Sequence, residues 1–535
     1  MNFLKLTPLV ISVLIATGCT MAPVYERPES PVAPTFPQGA AYEDLAFSTA
    51  PLPTWDTFFT NAKLREVINT ALTNNRDLRI AILNVEKARA AYGIQRASLM
   101  PNAGADFSPT GSHTPDTMAP TGHGYTSHTY QATLASTSWE IDLFGRVRSL
   151  TEAALQNYLA TEEAQYGTQN SLIAEVANAW INVGAQKELL RLQEITLKSQ
   201  QNSFKLISDS YRLGARSLLD VEQARTTVET ARAAVVQYQR SLAQARNNLE
   251  LLVGTKVPES LEPEKLEDPS TYGAIAPKGL SSEVLLNRPD IRAAENSLKA
   301  ANANIGAARA NFFPRITLTA GVGTGSQHLN DLFSGGSGLW SFAPGITLPI
   351  FTGGANISQL RQAEAEQKAK VAQYEKTIQS AFAEVANTLA AEGTMTRQCS
   401  ALRALVDATQ RAYNLSYNRY KNGLDGFLTV LESQRQRVAA QTNYIVAEQN
   451  RVQSTRRRKH KVSLCRTRGF PDFSFHSWDC RHGEGRMTTH RYPRRMEIKR
   501  HRLLEAAQEI FLEKGSHTAS MSDIPTKAEV RTPHI

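Results

Sequence analysis

Two kinds of hydrophobic spacing alternate along this chain. Ile316, Leu318, Ala320 and Val322 alternate with Arg315, Thr317, Thr319 and Gly321, as in a strand with one apolar and one polar face. Ala103, Ala105 and Phe107 alternate likewise with Gly104, Asp106 and Ser108, and Tyr130, Ala132 and Leu134 open a return strand. Trp139, Ile141 and Leu143 continue in the opposite phase, so a bulge or a change of environment is expected between the two runs. A fourth strand carries Trp340, Phe342, Ile346, Leu348 and Ile350, after a glycine-rich loop from Gln327 to Gly338. A loop dense in Gly, Pro, His and Thr, from Pro115 to Gly124, joins the first two strands.

Between these hairpins the spacing is helical and the residues are small. Pro289 beside Asp290 starts a helix, because a proline at the first turn loses no hydrogen bond and an acid there suits the helix dipole. Ala293, Ala294, Ser297, Ala300, Ala301, Ala303, Ala307, Ala308 and Ala310 then offer a face that lets another helix approach closely, until Phe312-Phe313-Pro314 stops it. No proline occurs between Pro120 and Pro258. The stretch from Arg146 to about Leu213 reads as one helix on the order of 100 Å long, reversed at Gly214 and returned by Ser217 to Val253. From Gly354 to about Ser454 the same plan recurs, reversed at Gly423.

The recurrence is an internal duplication. Asp77, Arg79, Gly93, Arg96 and Pro101 reappear 213 positions later as Asp290, Arg292, Gly306, Arg309 and Pro314. Glu175-Val176-Ala177-Asn178, Tyr211, Gly214 and Leu219 reappear 209 positions later as Glu384-Val385-Ala386-Asn387, Tyr420, Gly423 and Leu428. One offset held over dozens of residues is the signature of repeated architecture. The organisation expected is a signal segment at 1–18, an extended segment at 19–54, a first repeat at 55–254, a Pro-rich linker at 255–280, a second repeat at 281–454 and a basic tail at 455–535.

Charge and chemistry narrow the function. The net charge of +9 would suggest nucleic acid or a membrane surface, but 18 of the 59 Lys/Arg and only 9 of the 50 Asp/Glu lie beyond residue 454, so the rest of the chain is balanced. Seven of the 11 histidines lie there too. With few imidazoles in the repeats, no enzyme activity, cofactor or metal is expected. Four cysteines, Cys19, Cys399, Cys465 and Cys480, are too few for a disulfide framework. The apolar run Leu9 to Ala16 is too short to span a bilayer and reads as an export signal. Ending in Thr17-Gly18-Cys19, it resembles a bacterial lipoprotein signal cleaved before an acylated Cys19, although Ala16 replaces the usual Leu; the alternative is an ordinary secretory signal. Thr20, not Asp, follows, which implies sorting to the outer membrane.

Four amphipathic strands cannot close a barrel, which needs at least about eight, and lipid does not tolerate open edges. Three copies would supply roughly 12 strands. The alternative is a soluble helical bundle bearing two hairpins.

Ser138 to Ser149 (SWEIDLFGRVRS), Arg288 to Glu295 (RPDIRAAE), Ile305 to Leu318 (IGAARANFFPRITL), Leu348 to Gly354 (LPIFTGG), YRLGARSLLDVEQAR and YKNGLDGFLTVLESQRQ resemble the TolC-type outer-membrane factors of tripartite efflux pumps, in the lipoprotein branch that serves RND transporters. The resemblance covers about Cys19 to Ser454. It implies a mainly α fold with a small membrane β-barrel, a homotrimer anchored by Cys19 to outer-membrane lipid, and a long periplasmic α-barrel. It implies passive exit of drugs or toxic solutes, driven by an inner-membrane RND transporter through a periplasmic adaptor. A type I protein-secretion duct shares the fold and remains an alternative.

The resemblance also implies a closed periplasmic end formed by Leu428, Glu432 and Arg435, which share one helical face and could line a threefold axis. The first-half counterparts are Leu219 and Gln223, with Asp220 beside them. The competing reading is a solvated helix face. Beyond Ser454 the helical pattern gives way to a basic run, Thr455 to Lys461. Arg495 to Val530 resembles the start of a TetR-type DNA-binding domain that ends before a recognition helix, with Pro525 in its second helix. That tail reads as a fusion or frameshift of neighbouring reading frames, which would make the chain a non-functional product, the alternative being a functional extension; no nucleic acid is expected as a partner, and a DNA-binding regulator would rest on the tail alone. Cys465, His476, Cys480 and His482 match no compact zinc spacing.

Overall fold

The computed structural model describes residues 20–42, 55–120, 122–266 and 282–463. Cys19 and everything from residue 464, including the TetR-like segment and the Cys465, His476, Cys480 and His482 set, lie outside the described residues.

The elements come in two similar series. The first is α1 (Trp55–Phe58), α2 (Ala62–Asn74), α3 (Arg76–Ala97), β1 (Gly104–Thr114), β2 (Tyr125–Ile141), α4 (Arg146–Arg212) and α5 (Leu218–Val253). The second is α6 (Pro289–Ala310), β3 (Arg315–Ser326), β4 (Gly338–Thr347), α7 (Ala355–Lys421) and α8 (Phe427–Ser463). The counterparts α3 and α6 have 22 residues each, and α4 and α7 have 67 each, about 100 Å at 1.5 Å per residue.

Local chemistry sets the boundaries. Asn75 ends α2 and caps α3 by accepting from the Leu78 N–H at 2.9 Å, and its Nδ2 donates to the Leu252 carbonyl at 2.8 Å. Ser217 and Asp220 form a capping box at the start of α5. Gly214 (φ 77°) and Gly423 (φ 73°) take the left-handed conformation that reverses the two long helices, a conformation open to glycine without a Cβ penalty.

The strands form one antiparallel sheet in the order β1-β2-β3-β4. The expected bulge is present: the β2–β3 register shifts between Ser136 and Trp139, and Ser138 has φ 52°. Leu134 lies opposite Ala105 and Val322, and Val322 opposite Trp340, so these residues form a row across one face. Among the described residues the sheet is open, with β1 and β4 at its edges, and a closed β-barrel is not seen in the single chain. No described helix is long and apolar enough to cross a membrane.

Several boundaries depart from expectation. The region before Pro101 holds three helices, because Asn61 and Asn75 each start a new one. The return strand begins at Tyr125, five residues before Tyr130, and its residues Tyr125 to Ala135 pair with the whole of β1. β4 ends at Thr347, leaving Leu348 and Ile350 outside the strand, where Pro349 has no N–H for a ladder. The last helix continues past Ser454 to Ser463: Arg and Lys are strong helix formers, and no Gly or Pro intervenes before Gly469.

The cores sit between helices. Phe58, Phe59, Leu64 and Ile68 pack against Ile173, Val176 and Trp180 of α4 and Leu249 of α5, and the Trp180 Nε1–H donates to the Leu261 carbonyl at 2.9 Å. Ile291 and Leu298 of α6 pack against Tyr374, Ile378 and Val385 of α7.

Residues 20–42 lie over this second core as a strap. The Tyr25 hydroxyl and the Arg27 guanidinium donate to the Glu295 carboxylate, Arg27 to both oxygens at 3.0 Å, and the Lys299 ammonium lies 3.1 Å from it. Burial alone would raise the Glu295 carboxyl, but the hydrogen bonds from Arg27 and Lys299 outweigh it and hold it below its ordinary value. Asn302 Nδ2 donates to the Pro23 carbonyl at 2.7 Å, Phe36 stacks on Phe382 at 4.8 Å, and Arg397 Nη2 donates to the Ala40 carbonyl at 2.7 Å. Gly306 permits the closest approach: a Cβ there would lie 2.7 Å from the Ala22 backbone. Gly306→Val is therefore expected to displace the strap at a cost of about 1–3 kcal/mol, seen as a lowered melting temperature and faster proteolysis within residues 20–42.

Candidate gating site at the helix reversals

The two reversals lie side by side. Ile207 of α4, Val221 and Ala224 of α5, Tyr420 of α7, and Phe427 and Val430 of α8 form one apolar cluster beneath the turns. The Arg216 guanidinium of the first turn lies 4.3 Å above the Tyr420 ring, a cation–π contact joining the two repeats, and burial pushes the Tyr420 hydroxyl up. Arg437 stacks over Tyr413 at 4.3 Å, one level further from the turns.

The expected gate residues all reach the surface. Leu428 is 67% exposed and Leu219 66%, the same degree of exposure at duplicated positions. Leu213, Leu218 and Leu424 are exposed beside them, so the tips carry an apolar fringe. Glu432 pairs with Arg435 on its own helix and accepts from Gln436 Nε2 at 3.0 Å; these two hydrogen bonds, Gln436 first, hold its carboxyl below the ordinary value. The pair is exposed and stays within one helix, so it does not itself tie α8 to another helix of the chain. Asp220 is occupied at the α5 start by Ser217, through the backbone N–H and the hydroxyl.

Sequence reasoning missed the contacts that fix the second turn. Arg419 donates to both carboxylate oxygens of Asp425, at 2.7 and 2.9 Å, closing the loop around Gly423. The signal was present as a cation and an acid bracketing a glycine, but the six-residue separation matches neither helical pairing rule. The first turn has no such clasp at the duplicated positions, which are Ser210 and Arg216. Cys399, free and buried, has its thiol pushed up to about 11, first by burial and then by its hydrogen bond to Glu448, and so is poorly reactive.

The model of the outer membrane efflux protein family matches residues 67–255 and 280–457, more than half of the chain. The chain belongs to this family. It is 47% identical over 445 residues to the toluene efflux pump outer membrane protein TtgF of Pseudomonas putida, covering 82% of this chain and 92% of that one. With the outer membrane protein OprJ of Pseudomonas aeruginosa it shares 44% identity over 419 residues, 78% of this chain and 87% of the other. The crystal structure of the open state of the Neisseria gonorrhoeae MtrE outer membrane channel superimposes with a TM-score of 0.74 at 38% identity, covering 83% of this chain and 98% of that one. The protein is thus an outer-membrane protein of the efflux kind.

The Arg419 clasp has a defined pH dependence in this efflux protein. The hydrogen bond from Arg419 holds Asp425 below its ordinary value, so the clasp is fully present above about pH 3.9 and is lost as pH falls through the lower folded value. Amide exchange across residues 422–426 is expected to be faster in Arg419→Ala than in wild type at neutral pH, and to converge with it under acid.

Proposed function

We propose that three copies of this chain form a lipid-anchored outer-membrane conduit through which a tripartite pump expels small toxic organic solutes. The observation that carries this reading is the sheet. Phe107, Leu134, Val322, Trp340, Phe342 and Ile346 are all more than half exposed, and their strands of 10 to 17 residues meet the roughly 9–11 needed to cross a bilayer. Among the described residues both edges are unpaired, and β4 of one copy meeting β1 of the next would close roughly 12 strands into a barrel.

The duplication supports the same assembly. α6 is flanked by α4 and α7 and buries most of its small residues, whereas α3 packs mainly on α4 and leaves Ile80, Leu83 and Ile94 exposed. The α7 helix of the next copy would take the free side of α3, as α4 of the first repeat takes that of α6 within the chain. The solute class follows from relatives named for toluene and antibiotic efflux. An inner-membrane RND transporter supplies the energy, and a periplasmic adaptor bridges to the apolar fringe at the helix reversals. There Leu428, Glu432 and Arg435, with Leu219 and Asp220 of the first repeat, narrow the periplasmic end, and Cys19 carries the acyl anchor.

Outer membranes from cells fed labelled palmitate are expected to yield a labelled band that runs as a trimer unheated and as a monomer after heating. Unlabelled monomer would refute the anchored trimer. Ile80→Asp with Leu83→Asp is expected to shift the unheated band to monomer while leaving the monomer folded. Leu428→Ser is expected to raise unitary conductance in planar bilayers.

A further inference from the structure

Where the sheet meets the long helices, the chain encloses a recess of about 240 Å³ that neither the gate nor the assembly contacts explain. Its charged wall centres on Glu140, which accepts from Arg146 Nε at 2.8 Å and whose Oε2 lies 2.9 Å from Arg315 Nε. Asp142, paired with Arg148 at 3.3 Å, lines the recess too, so two cations share it with two carboxylates, and what distinguishes Arg315 is its exposure. Glu140 is 14% exposed and Arg146 25%, whereas Arg315 is 52% exposed. The terminal nitrogens of Arg315 carry no hydrogen bond among the described residues, leaving the fork of its guanidinium to the recess.

The other wall is apolar. Phe144 and Phe313 stack at 4.8 Å, and Asn356, held by its Nδ2 donation to the Asn311 carbonyl at 2.9 Å, lies at the rim. Strand alternation decides the side to which the charges belong. Ile316, Leu318 and Val322 lie on the apolar face of β3, so Arg315 and Thr317 lie on the opposite face, and Glu140 is paired with Thr317. If the apolar face meets lipid, the charged face lines the lumen, and in that respect the inference rests on the conduit reading.

We propose that this recess is a wall subsite for amphiphilic organic anions, which place a ring against Phe144 and Phe313 and an acid group on Arg315. It is smaller than the roughly 300–1,000 Å³ of sites that enclose a drug-sized ligand, so it holds one ring and its charged group while the rest of the solute stays in the lumen. Such a contact is weak by construction, as passage requires. The charges do not recur in the other junction, where Asn102 stands at the position duplicating Arg315 and Pro349 at that duplicating Glu140, so there is one subsite per chain.

The test is equilibrium dialysis of naphthalene-2-sulfonate against the full-length protein in lipid nanodiscs, with empty nanodiscs subtracted. Saturable binding of one molecule per chain is expected, weakened about tenfold by Arg315→Gln, the loss of one charged hydrogen bond, and weakened also by Phe313→Ala. Arg315→Lys keeps the charge and is expected to bind more tightly than Arg315→Gln. Absence of saturable binding, or Arg315→Gln binding as wild type, would overturn the subsite. Single-channel recording of the same preparations separates the two readings: saturable binding without unitary current supports the recess and overturns the conduit.

Discussion

A sheet with one apolar face and two unpaired edges is an unfinished object. Each unpaired N–H and C=O facing hydrocarbon would cost several kcal/mol, and each exposed Trp, Phe or Leu on the face would sit in water at a cost in free energy. Both costs disappear together only if further strands continue the ladder and lipid meets the face. The rest of the molecule is compatible with that solution. The long helices leave the sheet without an intervening domain, small residues let neighbouring helices stand close, and the duplicated half-units give each chain an internal copy of the contact it can make with the next.

Much of this was legible in the sequence, because its periodicities are long and uninterrupted. A proline-free run of more than a hundred residues with a single glycine reversal leaves little choice but a helical hairpin, and alternation at Ile316 to Val322 fixes which face is apolar. The fixed offsets of 213 and 209 converted one half into a prediction of the other. Boundaries were less legible where pattern and chemistry diverge. Tyr125 to Thr129 is polar on both faces, so its membership of β2 is set by the ladder to β1 rather than by hydrophobicity. The basic run after Ser454 has no amphipathic pattern yet extends a helix through propensity alone.

The candidate gate was legible in part. Leu219 and Leu428, on matching positions of the two repeats, emerge with matching exposure at adjoining tips, and Glu432 with Arg435 lies on one face as spacing dictates. The contacts that hold the tips were not legible, since Arg216 on Tyr420 joins residues more than 200 positions apart and Arg419 with Asp425 closes a loop of irregular geometry. Tertiary pairs of this kind leave no periodic trace in a single sequence. The wall recess is a similar case: Glu140, Arg146 and Arg315 come from a strand, a helix start and a second strand.

The strap has a consequence for the order in which the chain becomes structured. Tyr25 and Arg27 find their partner Glu295 about 270 residues downstream, so the docking site does not exist until most of the polypeptide has been made. Contacts of such sequence separation form late, because the loop they close is entropically costly and its far side must be folded first. The segment next to Cys19 is thus free of its groove until the second repeat has been made and folded. Enzymes acting on the chain's first residues would meet an undocked peptide, and completion of the second repeat would then draw it against the finished wall.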